Sequence, residues 1–149
     1  MKPLLAVLIL TLGATAVLSA QISEHSFGFG LEVGQMNAVQ ISYTPLAQIQ
    51  TSIFMGPISE LPDDQTLLPR QLGLTGKYFF SKNQSTGFVG ITAFGAYGRT
   101  YKYGFGVPLG MQYFVTQNVA FFGHVTTAMT DDNNSLTMFA GFGVTFYVQ

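Results

Sequence analysis

Residues able to do chemistry are few in this chain, and they are widely spaced. His124 and Thr126 stand two apart in "GHVTT". In an extended chain such residues share a face, so an imidazole would lie beside a hydroxyl, the pairing of a general base with an alcohol nucleophile. That pairing needs a carboxylate to orient the ring, and the sequence around His124 offers no obvious one. The plainer reading is a hydrogen-bonded interior histidine. Glu32, Lys77 and Lys102 are charges set into apolar stretches, and Gln112 is their uncharged counterpart. Asp63-Asp64 and Asp131-Asp132-Asn133-Asn134 could offer oxygen ligands to a divalent cation, although such runs more often mark solvated loops. The chain has no phosphate loop, metal-ligand cluster or groove-reading helix. Neither a cofactor nor a bound metal nor nucleic acid is therefore expected.

The elements that must position these residues show period-two alternation. Phe27, Phe29, Leu31 and Val33 alternate with glycines and Glu32, and "YKYGFGVPLGMQYFV" (101 to 115) carries an apolar or aromatic residue at every odd position. Similar runs recur around residues 39 to 43, 49 to 55, 72 to 80, 89 to 98, 119 to 129 and 136 to 148, which makes eight strands. The connections alternate between short turns near residues 45 to 47, 81 to 85 and 116 to 118 and segments at 35 to 36, 57 to 69, 99 to 100 and 130 to 135. An even strand number puts both chain ends on one side, beside the short turns. Pro108 removes a ladder donor from a strand interior, so a bulge or local break is expected there.

Ahead of the strands, Met1-Lys2, an apolar run to Val17 and the small-residue exit Leu18-Ser19-Ala20 have the form of a secretory signal peptide. Cleavage is expected after Ala20, with Ala16 as the second choice. Residues 21 to 149 then form one domain. Charged residues are 9% of the chain, against about 25% in ordinary soluble domains, too few for a water-facing surface of this size. With no cysteine, disulfides cannot supply the stability.

Which face is inside follows from composition. A soluble lipocalin-like barrel would turn its large apolar parity inward, leaving Gly104, Gly106, Pro108, Gly110, Gln112 and Phe114 as a poor aqueous surface. Reversed, the apolar parity meets lipid, and the small and polar residues fill a narrow interior. The expected fold is therefore an eight-stranded antiparallel up-and-down transmembrane β-barrel. Its inward residues include Glu32, Lys77, Lys102, Gln112, His124 and six phenylalanines, Phe54, Phe79, Phe88, Phe94, Phe122 and Phe139. Charges in a confined interior need partners; Glu32 and Lys102, both towards the end away from the short turns, could meet across it, with Lys77 towards the opposite end. Tyr43, Tyr78, Tyr97, Tyr101, Tyr113 and Phe146 fall near strand ends, as in interfacial aromatic girdles.

The leader, the glycine-and-aromatic strands and "GFGVPLGMQYFVTQNVAFFG" (104 to 123) with a final aromatic strand resemble the small outer-membrane β-barrel family of Gram-negative bacteria. The resemblance implies export by the general secretory pathway, delivery by the barrel-insertion machinery and residence in the outer membrane beside lipopolysaccharide, as a monomer. The family's closing strand usually ends in an aromatic residue, whereas this chain ends Tyr147-Val148-Gln149. "GHVTT" (123 to 127) is also similar to the histidine and hydroxyl of membrane-barrel lipid A deacylases, with threonine in place of serine and an inward parity. The expected role is structural or surface-interacting, with a largely plugged lumen and no enzymatic activity. Binding or passage of a small hydrophobic molecule, a lipid A modifying activity at His124 and Thr126, and a soluble barrel are the alternatives, in that order.

Overall fold

The computed structural model describes residues 23–34, 37–56, 58–61, 64–69, 71–96, 102–131 and 136–148, with the backbone alone described for 58–61, 64–69 and 102. The expected leader lies outside the described residues. Among the described residues ten strands form: β1 (Ser26–Gly34), β2 (Ala38–Leu46), β3 (Ile49–Met55), β4 (Ile58–Leu61), β5 (Asp64–Pro69), β6 (Gln71–Phe79), β7 (Ser85–Ala96), β8 (Lys102–Thr116), β9 (Val119–Thr130) and β10 (Leu136–Val148). Eight of them close in the order β1-β10-β9-β8-β7-β6-β3-β2, antiparallel throughout. The expected eight-stranded barrel is therefore the fold. The segment from 57 to 69, expected as irregular loop, instead contains the small β4-β5 hairpin, whose sequence lacks the alternation that marks the other strands.

Phe27 pairs with Val148, which brings the first and last strands together at the end that also carries the turns after β2, β6 and β8. We call this the turn end, and the opposite one, where β4-β5 sits, the loop end. Gly34, at φ 148°, ends β1 at the loop end, and its N–H donates to Asn37 Oδ1 at 3.2 Å.

Burial alternates along the wall, with the large apolar parity outside. Ile91 is 74% exposed, Phe105 66% and Leu109 59%, whereas Phe79 and Phe88 are fully buried. A soluble barrel would have these values reversed. The glycines make room for the inward rings: Phe54 faces Gly73, Phe94 faces Gly104, Phe88 faces Gly110 and Phe122 faces Gly143 as direct cross-strand partners. A Cβ on any of these glycines would overlap the ring opposite. Each aromatic thus lies over a neighbouring glycine, covering backbone that a bare glycine would leave unpacked. All six phenylalanines expected inside are inside.

At Pro108 the β7-β8 ladder stops after Val89 and Leu109 and resumes at Thr92 and Gly106 in the same register, while Pro108 keeps its pairing with Thr126 on β9. The proline therefore causes a local break and not a bulge. Its ring faces Gly90, whose Cβ position lies 3.1 Å from Pro108 Cγ. The register shift on the β2-β3 ladder spans Pro45 instead, between Tyr43 and Leu46, a common place for proline in a sheet.

Candidate functional site

The lumen is where the inward polar residues meet, and it is layered. At the turn end Phe79, Phe88, Phe114, Ala120 and Tyr147 form one buried cluster. Phe79 and Phe88 meet edge to face with centroids 5.7 Å apart, and Phe114 lies 5.7 Å from Tyr147. The Tyr147 hydroxyl accepts from Gln50 Nε2 at 2.7 Å and Gln112 Nε2 at 2.9 Å. This single phenol ties β3, β8 and β10 together, three strands spread around the ring. Gln40 Nε2 donates to Thr145 Oγ1 beside it at 3.3 Å.

Above this plug comes a charged layer. Lys77 Nζ lies between the faces of Phe88 and Phe122, 4.8 and 4.7 Å from their centroids, an arrangement that stabilises a desolvated ammonium. Phe122 stacks on the His124 ring at 6.1 Å. His124 Nε2 is 2.9 Å from Glu32 Oε1, and its Nδ1 is 3.0 Å from Thr126 Oγ1. With Glu32 ionised and the imidazole neutral, Nε2 donates to the carboxylate and Nδ1 accepts from the threonine hydroxyl.

Glu32 and His124 belong to β1 and β9, so the bond passes over β10. It passes at Gly141, where a Cβ would overlap Glu32 Oε1 and come within 3.0 Å of His124 Nε2. The carboxylate that the sequence around His124 did not offer thus arrives from the first strand. The contact expected between Glu32 and Lys102 involves a side chain outside the described residues; what Glu32 meets is His124. Of the expected polar set, Glu32, Lys77 and His124 come together at mid-lumen, while Gln112 joins Tyr147 at the turn end. Sequence reasoning did not single out Tyr147, Gln50 or Gly141. Parity alone places the first two inside, but nothing local marks Gly141 among the chain's many glycines.

A cavity of about 30 Å³ lies above the charged layer, bordered by Glu32, Lys77, His124, Thr126, Thr92 and Phe139. It has room for one or two waters and none for an acyl chain. Thr75 donates to Thr92 beside it at 2.9 Å, and Thr92 donates onward to the Leu74 carbonyl at 3.1 Å. The loop end is closed more loosely by Ala38, Phe54, Phe94 and Phe139, the last two edge to face at 6.2 Å and only partly buried. Among the described residues, no group of three or more acidic, histidine or cysteine side chains is placed to hold a metal ion.

Outside, Tyr43, Tyr78, Tyr113 and Phe146 stand near the turn end, while Tyr97 and Tyr101 lie outside the described residues. Of the acidic runs, Asp131 is described: it pairs with Tyr103 through both backbone and side chain. Asp132, Asn133 and Asn134 are outside the described residues, and the side chains of Asp63 and Asp64 are likewise not described.

No family model and no curated protein matches the chain. Among solved structures it is similar to the N-terminal β-barrel domain of Pseudomonas aeruginosa OprF, with a TM-score of 0.67 and 15% identity, over 84% of this chain and 98% of that one. At that identity the likeness speaks for the fold.

Proposed function

We propose that this chain is an integral outer-membrane β-barrel with a structural or surface-interaction role and a lumen closed to solutes. The observation that carries the reading is the inverted wall: Phe29, Ile41, Leu74, Leu109 and Phe121 point outward, half or more exposed, while Glu32, Lys77 and His124 point inward. In water that arrangement would expose an apolar belt far larger than monomers tolerate. In a bilayer it is the stable one, because a closed barrel leaves no open sheet edge and presents carbon to lipid. The fold shared with the OprF barrel domain supports the same reading. The stacked rings and the small central cavity support a plugged lumen. The partners this implies are membrane lipid and lipopolysaccharide, with the insertion machinery during assembly, for a monomer that leaves the cytoplasm by the secretory route.

Fractionation and electrophysiology test the proposal. The protein should partition with outer membranes, migrate differently on gels before and after boiling, and give no step conductance in planar bilayers. Recovery as a soluble periplasmic protein would refute the membrane reading, and steady single-channel steps would refute the closed lumen.

The Glu32–His124–Thr126 chain favours a second reading, a lipid-modifying hydrolase, since it aligns carboxylate, imidazole and hydroxyl. Thr126 is 1% exposed and faces the small cavity, so an acyl substrate would need the lumen to open. Altered lipid A acyl chains on overexpression would establish this second reading, and unchanged chains would remove it.

A further inference from the structure

Lys77 is the charge that a merely plugged lumen leaves unexplained. Its ammonium carries three donors and the residue is 6% exposed. Among the described residues it meets the faces of Phe88 and Phe122 and the field of Glu32, and no oxygen or nitrogen accepts from it. Ring faces offset the charge, but they leave buried N–H groups without an acceptor, which is costly. The same residue borders the cavity of about 30 Å³ at mid-lumen.

Glu32, His124 and Thr126 border that cavity too, and one proton reverses the direction of their bonds. While the imidazole is neutral, Nε2 donates to Glu32 and the Thr126 hydroxyl donates to Nδ1. The threonine hydrogen is then engaged, and one ammonium balances one carboxylate. An imidazolium donates from both nitrogens, so the Thr126 oxygen becomes an acceptor and its hydrogen is released to the cavity. Glu32 is now balanced by the ring it holds, and Lys77 stands as an uncompensated charge. Among the described residues the charges facing His124 are Glu32 from β1 and Lys77 from β6. The other strands contribute Gln40, Phe54, Thr92, Pro108 and Phe139 to the cavity, none of which titrates.

We propose that the cavity is a proton-coupled site for one monatomic anion of the chloride class, held by Lys77 and Thr126 once His124 is protonated. It rests on the lumen geometry and not on what the outer wall meets. A net positive charge buried among phenylalanines is unstable, and an anion that enters with the proton removes the imbalance. Space for one or two waters suits a monatomic ion and excludes a carboxylate or a phosphate. Entry is from the loop end, where Phe94 and Phe139 are only partly buried, while the packed turn end stops passage. The site therefore binds without conducting.

Chlorine NMR of the folded barrel in micelles tests the proposal, with gluconate, too large for the cavity, keeping the ionic strength constant. At about pH 5 wild-type barrel should broaden the chloride line, bromide should reverse the broadening, and chloride should raise the urea midpoint above that in gluconate. At about pH 8 these effects should be weaker by about tenfold or more. Lys77→Met should lose them at both pH values. Glu32→Gln leaves the ammonium uncompensated without any added proton, so it should bind chloride at about pH 8 as well. A structural role for Glu32 alone would not produce that gain. Lys82→Met, which removes an exposed cation at the turn end, should behave as wild type and so accounts for surface binding. Absence of chloride-specific broadening in wild type, equal broadening at both pH values, or no binding by Glu32→Gln in the alkaline sample would each overturn the proposal. If Lys77→Met fails to give a heat-modifiable barrel, the gain or silence of Glu32→Gln decides.

Discussion

The two ends of the lumen are built on different principles. The turn end is packed: Phe79, Phe88, Phe114 and Tyr147 interlock with no more than 5% exposure, and the one phenol among them satisfies two glutamine amides from distant strands. The loop end is covered by Phe54, Phe94 and Phe139, two of which stay partly exposed, above a cavity edged by charge. Between them the charged layer faces both ways, with Lys77 lodged against a ring of the turn-end plug and Glu32 bonded to His124 under the cavity. The difference teaches that stability should reside mainly at the turn end. The loop end can vary more freely in sequence and packing.

Substitutions can break or sharpen that contrast, each read as a shift in urea unfolding in detergent micelles. Phe88→Ala should have the largest effect, a loss of about 3–5 kcal/mol, because it opens a void in the tightest layer and removes one of the two rings over Lys77. Tyr147→Phe keeps the ring but leaves the Gln50 and Gln112 amides without their acceptor, and should cost about 1–3 kcal/mol. Glu32→Gln keeps the shape of the central contact while replacing a charge-assisted bond by a neutral one, for a loss of about 1 kcal/mol. Phe139→Ala, at the loosely covered end, should be mildest at about 1 kcal/mol or less, since its ring is only part buried. If Phe139→Ala proved as damaging as Phe88→Ala, the two ends would be equivalent and the contrast wrong.

The barrel itself was legible because a wall with two unlike faces writes them into alternate residues. Phe27, Phe29 and Leu31 against Gly28, Gly30 and Glu32 suffice to give strand and face. The inward phenylalanines could be placed from parity alone. What parity cannot supply is which inward residues meet. Glu32 and His124 lie 92 residues apart, and their contact depends on the stagger of the strands and on a glycine, Gly141, in the strand between. The β4-β5 hairpin went unread because "ISEL" and "DQTLLP" carry no alternation to show pairing. Pro108 was legible as a disturbance, and its form, a ladder gap facing Gly90, came only with the pairing partners.

The central claim is that the large apolar face looks into lipid. The chain has no cysteine, so Leu109→Cys would create a single attachment point for a nitroxide at a position 59% exposed on that face. In barrels reconstituted into bilayers, the label should collide freely with dissolved oxygen and be shielded from a water-soluble nickel chelate. Strong relaxation by the chelate would place Leu109 in water and contradict the account.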